Sequence, residues 1–251
     1  MNGRTISRAQ SAFLFVAIVA AGPDQGRTVA AQSAQPAASP AVAEVQQMVA
    51  AARKDIESYK TAGGAAGAAD HPAIKWSASL WQLHDRAPLG EAGAIAAVEA
   101  IRMLVRAELW DPARSRIDAL DVDEPAWERV PSAVYDIGIA RKDLPYTIEK
   151  LSRIAASTTK SQTRSAALLI IGRAYRRQGD LAAATRSLEE AKSAAPTSLY
   201  AEEADGVLYE IAHLSKGVQA PAISGKPRNG RAVNLAAFRG KPVVLVFWGT
   251  T

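Results

Sequence analysis

Arg173, Arg176 and Arg177 place three guanidiniums on one helical stretch. Arginine grips carboxylates with two parallel hydrogen bonds, so this group suits an acidic segment or a C-terminal carboxylate. The same three residues also read as a solvated basic face. The other polar residues offer less. His71, His84 and His213 each lack a second ligand three or four residues away, so no metal site is expected. Asp121, Asp123 and Glu124 form an acidic cluster without the glycine of a calcium loop, and read as a loop and helix cap before Pro125. Gly63-Gly64 and Gly67 are preceded by no strand and followed by no Lys-Ser/Thr pair, so they do not read as a phosphate loop. The chain has no cysteine, hence no disulfide, no thiolate metal site and no cysteine nucleophile. No Ser-His-Asp or paired-carboxylate signature is visible, although triad members need not be neighbours in sequence. No cofactor is implied.

The elements that must hold these residues are helices. The 251 residues allow one or two domains, and 48% hydrophobic content is that of a globular protein. Alanine is abundant and aromatics are few, which favours helix. Ser39-Pro40 reads as an N-cap followed by proline in the first turn, with Val42, Val45, Val49, Ala52, Ile56 and Tyr59 at helical spacing after it. A Gly/Ala-rich hinge covers 61–70. Further helices are expected over about 72–83, 91–109, 112–120, 125–140, 145–156, 161–178, 181–194 and 198–214. Ile95, Val98, Ile101, Val105 and Leu109 form one apolar stripe, and Asp111-Pro112 resembles the Ser39-Pro40 cap. Trp76, Trp81, Trp110 and Trp127 read as core residues.

Residues 1–31 read as a signal peptide. Arg4 and Arg8 give a positive start, Ala12 to Ala21 a short apolar stretch, and Val29-Ala30-Ala31 small residues before a cut between Ala31 and Gln32. Val19-Ala20-Ala21 is a second cut site, and an uncleaved membrane anchor is the competing reading. Export implies a periplasmic or extracellular protein with no stable membrane insertion after cleavage. Removal of the segment lowers the net charge from +5 to +3, too little to argue for nucleic acid. Residues 32–71 then comprise a linker and an N-terminal helix, and 72–216 a helical domain.

Within that domain Leu168, Ile171, Gly172 and Tyr175, the Gly179-Asp180 turn, Leu181, Ala184, Leu188, Ala191 and Pro196 fall in order over Ser165 to Ser198. This resembles the tetratricopeptide repeat along its 34-residue period. The resemblance implies that Gly172 and Ala184 let paired helices approach closely, with Tyr175 filling the gap. It also implies that Arg173, Arg176 and Arg177 face a concave groove that takes a protein or peptide ligand. One period earlier, Pro131 to Arg164 resembles a degenerate repeat that keeps Gly138 and Ile154, and 197–216 reads as a capping helix.

The C-terminal stretch 217–251 carries Gly217-Val-Gln-Ala-Pro221, then Asn229-Gly230, Val233, Asn234, Leu235, Phe238, Gly240-Lys241 and Val243-Val-Leu-Val-Phe-Trp248. Val243 to Phe247 reads as a strand buried on both faces of a parallel sheet. The ordered set is similar to the opening of the thioredoxin-like redoxins: alkyl hydroperoxide reductases, thiol-specific antioxidants and periplasmic disulfide reductases. The fold class expected is therefore mainly α, a tetratricopeptide-like helical solenoid followed by the first β-hairpin and strand of an incomplete thioredoxin-like α/β domain. The resemblance implies thiol-disulfide oxidoreductase or peroxidase chemistry with a thiol protein as redox partner. It places the catalytic residue at the position after Thr251, where a selenocysteine codon read as a stop is one expectation and a frameshift, a truncation or a decayed gene are others. The alternative is a non-catalytic helical-repeat interaction module with a vestigial redoxin tail.

Overall fold

Ser39 opens the first helix of the computed structural model, which describes residues 39–225 and 233–246. Its Oγ accepts the Val42 amide at 3.3 Å, and Pro40 occupies the first turn, where its missing N–H costs nothing. Nine α-helices follow among the described residues: α1 Pro40–Thr61, α2 Pro72–Arg86, α3 Glu91–Arg106, α4 Trp110–Asp118, α5 Pro131–Ala140, α6 Leu144–Ser157, α7 Ser161–Gln178, α8 Leu181–Ala194 and α9 Leu199–His213. Aspartate and serine side chains cap three of the later ones. Asp143 accepts the Tyr146 amide, Asp180 the Ala183 amide and Ser198 the Ala201 amide. The chain divides into a helical unit ending at Ser215 and a C-terminal segment from Lys216.

The helical unit is a mainly α bundle built by sequential stacking. Each helix packs on the next in sequence, and α1, α3, α5, α7 and α9 also touch in a row. One continuous core runs through α1 to α7, with Leu80, Ile101, Ile117, Trp127, Val134 and Leu151 all but sealed from solvent. A second, smaller cluster joins α7, α8 and α9 through Leu169, Leu188, Ala191, Ala204 and Val207.

Several boundaries differ from the expectation. Residues 125–140 do not form one helix. Pro125–Glu128 is a 3₁₀ turn, and α5 begins afresh at Pro131, which has no N–H to donate back one turn. Helix α3 stops at Arg106 instead of Leu109, because Glu108 takes a left-handed φ of 59°. Asp111 does not cap α4. That helix starts at Trp110 without a side-chain cap, and Pro112 lies inside its first turn. Helix α1 is not set apart from the helices after it: Val45, Val49 and Ala52 are buried in the main core, so the hinge after α1 is an internal connection.

In the C-terminal segment β1 (Ser224–Gly225) pairs antiparallel with β2 (Val233–Asn234), with Ser224 opposite Asn234 and Gly225 opposite Val233. Asn229-Gly230, the expected turn, lies outside the described residues. Leu235–Phe238 follows as a 3₁₀ turn capped by Asn234. The expected buried strand is not formed over the described part of 243–247. Val244 and Val246 are 58% and 56% exposed, and no described strand lies alongside to take their backbone hydrogen bonds. Phe247 and Trp248 lie outside the described residues.

Candidate functional site

The arginine group rides on α7, and α7 is set by its close approach to α8. A Cβ on Gly172 would fall 2.6 Å from Leu188 Cγ and 3.2 Å from the Ala184 carbonyl, so glycine is what permits this spacing. Gly179 then turns the chain at a left-handed φ of 87°, which glycine adopts without penalty. Ser165 Oγ donates to the Ala191 carbonyl at 2.8 Å and ties the other end of the pair. Helix α9 packs on both α7 and α8 and brings its carboxylates to the arginines.

Two rungs result. Arg173 Nη2 lies 2.8 Å from Glu203 Oε2, and Arg176 Nη1 lies 2.5 Å from Glu210 Oε2. Arg177 is exposed and makes no ion pair among the described residues. The structure thus brings Arg173 and Arg176 together with two acidic partners and leaves Arg177 to solvent. All four paired side chains are more than a third exposed, so solvent screens each rung and its contribution to stability is small. An acidic segment reaching this face would exchange with Glu203 and Glu210 instead of meeting bare guanidiniums. Glu203 and Glu210 are the residues that sequence reasoning missed. Their seven-residue spacing on a helix expected to follow the repeat was the available signal.

A second polar group is buried between α2, α3 and the loop after α4. His84 Nδ1 lies 3.3 Å from the Gly93 carbonyl, which can only accept, so this nitrogen carries a proton. Nε2 faces Glu124 Oε2 at 3.4 Å, and both side chains are 5% exposed. Glu124 Oε1 accepts the Asp121 amide at 2.8 Å, and Trp127 Nε1–H donates to the Asp121 carbonyl at 2.9 Å. Burial pushes the Glu124 carboxyl above its usual range, opposed by the Asp121 amide and by His84. With Nδ1 protonated, a neutral His84 and an ionised Glu124 would set two acceptors face to face. Glu124 Oε2 has no hydrogen-bond partner among the described residues, in keeping with the raised carboxyl. Nothing local in the sequence pairs residues 84 and 124.

The other predicted sites fall as follows. His71 caps α2 through Nδ1, which accepts the Ala73 amide at 3.1 Å. His213 lies in the last turn of α9, its ring 4.6 Å from that of Tyr209. Asp121, Asp123 and Glu124 stand in the loop before the 3₁₀ turn. Among the described residues no three His, Cys, Asp or Glu side chains are grouped to hold a metal. Trp81 and Trp127 are core residues, Trp110 is half-buried, and Trp76 donates to Asp55 Oδ2 at 2.9 Å. Ala31 and Gln32 lie outside the described residues, among which no helix is long and apolar enough to cross a membrane. No protein-family model, curated protein or solved structure matches this chain.

Proposed function

We propose that the helical unit is a protein-interaction scaffold of the tetratricopeptide type in an exported protein, and that the segment from Gly217 is the opening of a redoxin domain. The observation that carries the scaffold reading is that two glycines 34 residues apart each sit at a close helix–helix approach, against partners at different repeat positions. Gly172 admits Leu188 and Ala184 in the α7–α8 pair, and Gly138 admits Thr147 in the α5–α6 pair, where a Cβ would fall 2.1 Å from Thr147 Oγ1. Thr147 Oγ1 donates to the Val134 carbonyl at 3.1 Å across that contact. The row of odd-numbered helices supplies one continuous face, and the α7–α9 rungs supply exchangeable charge for an acidic peptide.

The redoxin reading is supported by the residue order from Gly217 to Trp248 and by the short β1–β2 pairing. The chain has no cysteine, so thiol-disulfide exchange with a thiol protein partner would need a nucleophile that these 251 residues do not hold. Export is supported by Arg4, Arg8 and the apolar Ala12 to Ala21 stretch.

The test of the scaffold is binding of an acidic peptide by fluorescence anisotropy. Arg173→Ala with Arg176→Ala should weaken it, and Glu203→Gln with Glu210→Gln should strengthen it by removing the internal competitors. Both double variants should melt within a few degrees of the parent. Unchanged affinity in both would sink the groove assignment. For the tail, an in-frame thioredoxin-like continuation of the gene past codon 251 supports the redoxin reading, and unrelated sequence there favours a vestigial tail.

A further inference from the structure

A cleft of about 200 Å³ opens between α1 and α3 at the end nearest the hinge. That is below the roughly 300–1,000 Å³ of sites for drug-sized ligands, so its occupant is small. Helix α1 contributes Arg53, Ile56 and Lys60 from one stripe, and α3 with its C-cap contributes Met103, Arg106 and Ala107. The Gly67 amide donates to the Ala107 carbonyl at 2.7 Å and fixes the hinge beside this end of α3.

His71 completes the lining and is only 3% exposed. Its Nδ1 is committed as an acceptor to the α2 cap, so the neutral ring carries its proton on Nε2. That N–H has no partner among the described residues. The ring of Tyr59 meets it edge to face at 4.8 Å. Burial, and then Lys60, lower the imidazole pKa, which keeps the ring in this one-donor state. Nε2–H is thus the ring position left to donate to an acceptor in the cleft.

Charge narrows the acceptor. Lys60 and Arg106 are exposed and make no ion pair among the described residues, while Glu99 is already held between Arg102 at 3.4 Å and Arg53 at 4.0 Å. Glu57 also lines the cleft and would oppose a doubly charged ligand. Three cations against two carboxylates suit a single negative charge. Ile56, Met103 and Ala107 offer apolar contact to whatever body that charge carries.

We infer that this cleft binds the carboxylate of a small aliphatic acid, with His71 Nε2–H, Lys60 and Arg106 as its donors. The acid could be free or the end of a peptide chain, since both present the same group. The inference does not depend on the scaffold reading.

The test titrates the full chain with N-acetyl-leucine, followed by imidazole ¹H–¹⁵N spectra and calorimetry. Saturable shifts of the His71 ring are expected. Lys60→Ala or Arg106→Ala should weaken binding about tenfold each. His71→Asp keeps the cap acceptor, replaces the donor with a negative charge and should abolish binding. His71→Asn keeps the cap acceptor but carries its N–H short of the Nε2 position, so it should melt with the parent and bind more weakly, which separates loss of the site from loss of the fold. A peptide ending in leucine that binds at least as well identifies a chain terminus as the ligand, and binding of N-acetyl-leucine alone identifies a free acid. Equal binding of N-acetyl-leucinamide, no saturable shift, or unchanged affinity in the Lys60 and Arg106 variants would overturn the inference.

Discussion

His84 Nε2 lies 3.4 Å from Glu124 Oε2 in the core, while His84 Nδ1 is turned to the Gly93 carbonyl. Burial of Glu124 there raises its carboxyl pKa, and its Oε2 has no hydrogen-bond partner among the described residues. A carboxyl whose pKa is raised in the folded state binds its proton more tightly there than in the unfolded chain. Its contribution to stability is complete below the ordinary carboxylate pKa and falls as pH rises through the raised value. Glu124→Gln keeps the acceptor for the Asp121 amide and puts an N–H opposite His84 Nε2 at every pH. The variant should therefore gain on the parent as pH rises above about 4.5, the ordinary value for this side chain. Urea unfolding between pH 4 and 8 checks this, and a difference that does not change with pH would contradict it.

Glycines in α7 and α9 should respond to alanine with opposite signs. Gly172→Ala drives a Cβ against the fully buried Leu188, and overpacking of this kind costs about 1–3 kcal/mol against about 1 kcal/mol gained in helix propensity. Gly206 has nothing within 4 Å of its Cβ position, so Gly206→Ala should stabilise by up to about 1 kcal/mol. Equilibrium denaturation of the two variants decides it. A stabilised Gly172→Ala would mean that α7 and α8 stand further apart than described.

The α7–α8 pair was the most legible part of the sequence. Its apolar stripes, the Gly179-Asp180 turn and the small residues Gly172 and Ala184 all point to one local geometry, and both helix bounds agree. The break before Pro131 was legible in principle, since a proline inside the expected 125–140 helix cannot donate one turn back. The place of α1 was not, because a glycine-rich hinge looks the same whether it separates domains or folds one helix back onto a shared core. The polar groups were least legible. Arg173 was visible, but its partner Glu203 comes from another helix. The pairing of His84 with Glu124 depends on how the loop after α4 folds onto α2, which no local pattern encodes.

Tyr146 offers a separate check on the α4–α6 contact. Its ring lies under the Arg114 guanidinium, 3.9 Å from Cζ, while its buried hydroxyl has no hydrogen-bond partner among the described residues. Burial first, and then Asp118, push its pKa up to about 12. Tyr146→Phe keeps the ring and its cation–π contact and removes the orphan hydroxyl, so it should stabilise by about 1 kcal/mol near neutral pH. The sign at high pH follows from the raised folded value. The tyrosine contributes stability that is present below about 10 and lost as pH approaches about 12, and the phenylalanine variant lacks that loss. A variant less stable than the parent at pH 7 would show that the hydroxyl has a partner.

The apolar run near the C-terminus should govern self-association. Val243 and Leu245 are each 37% exposed, and Val244 and Val246 between and after them are more than half exposed. This is the period-two alternation of an extended segment, with no strand beside it among the described residues. Such a segment, β-branched and uncharged with its backbone groups unpaired, is a template for pairing with a second chain. Light scattering should rise with concentration in the parent. Lysines at alternate positions put charge on one face of any intermolecular sheet, so Val244→Lys with Val246→Lys should suppress that rise. Neither residue belongs to the core of the helical unit, so the melting temperature of α1 to α9 should not move. Scattering that persists in the double variant would exclude this segment as the source. A lowered melting temperature would mean that the segment supports the helices.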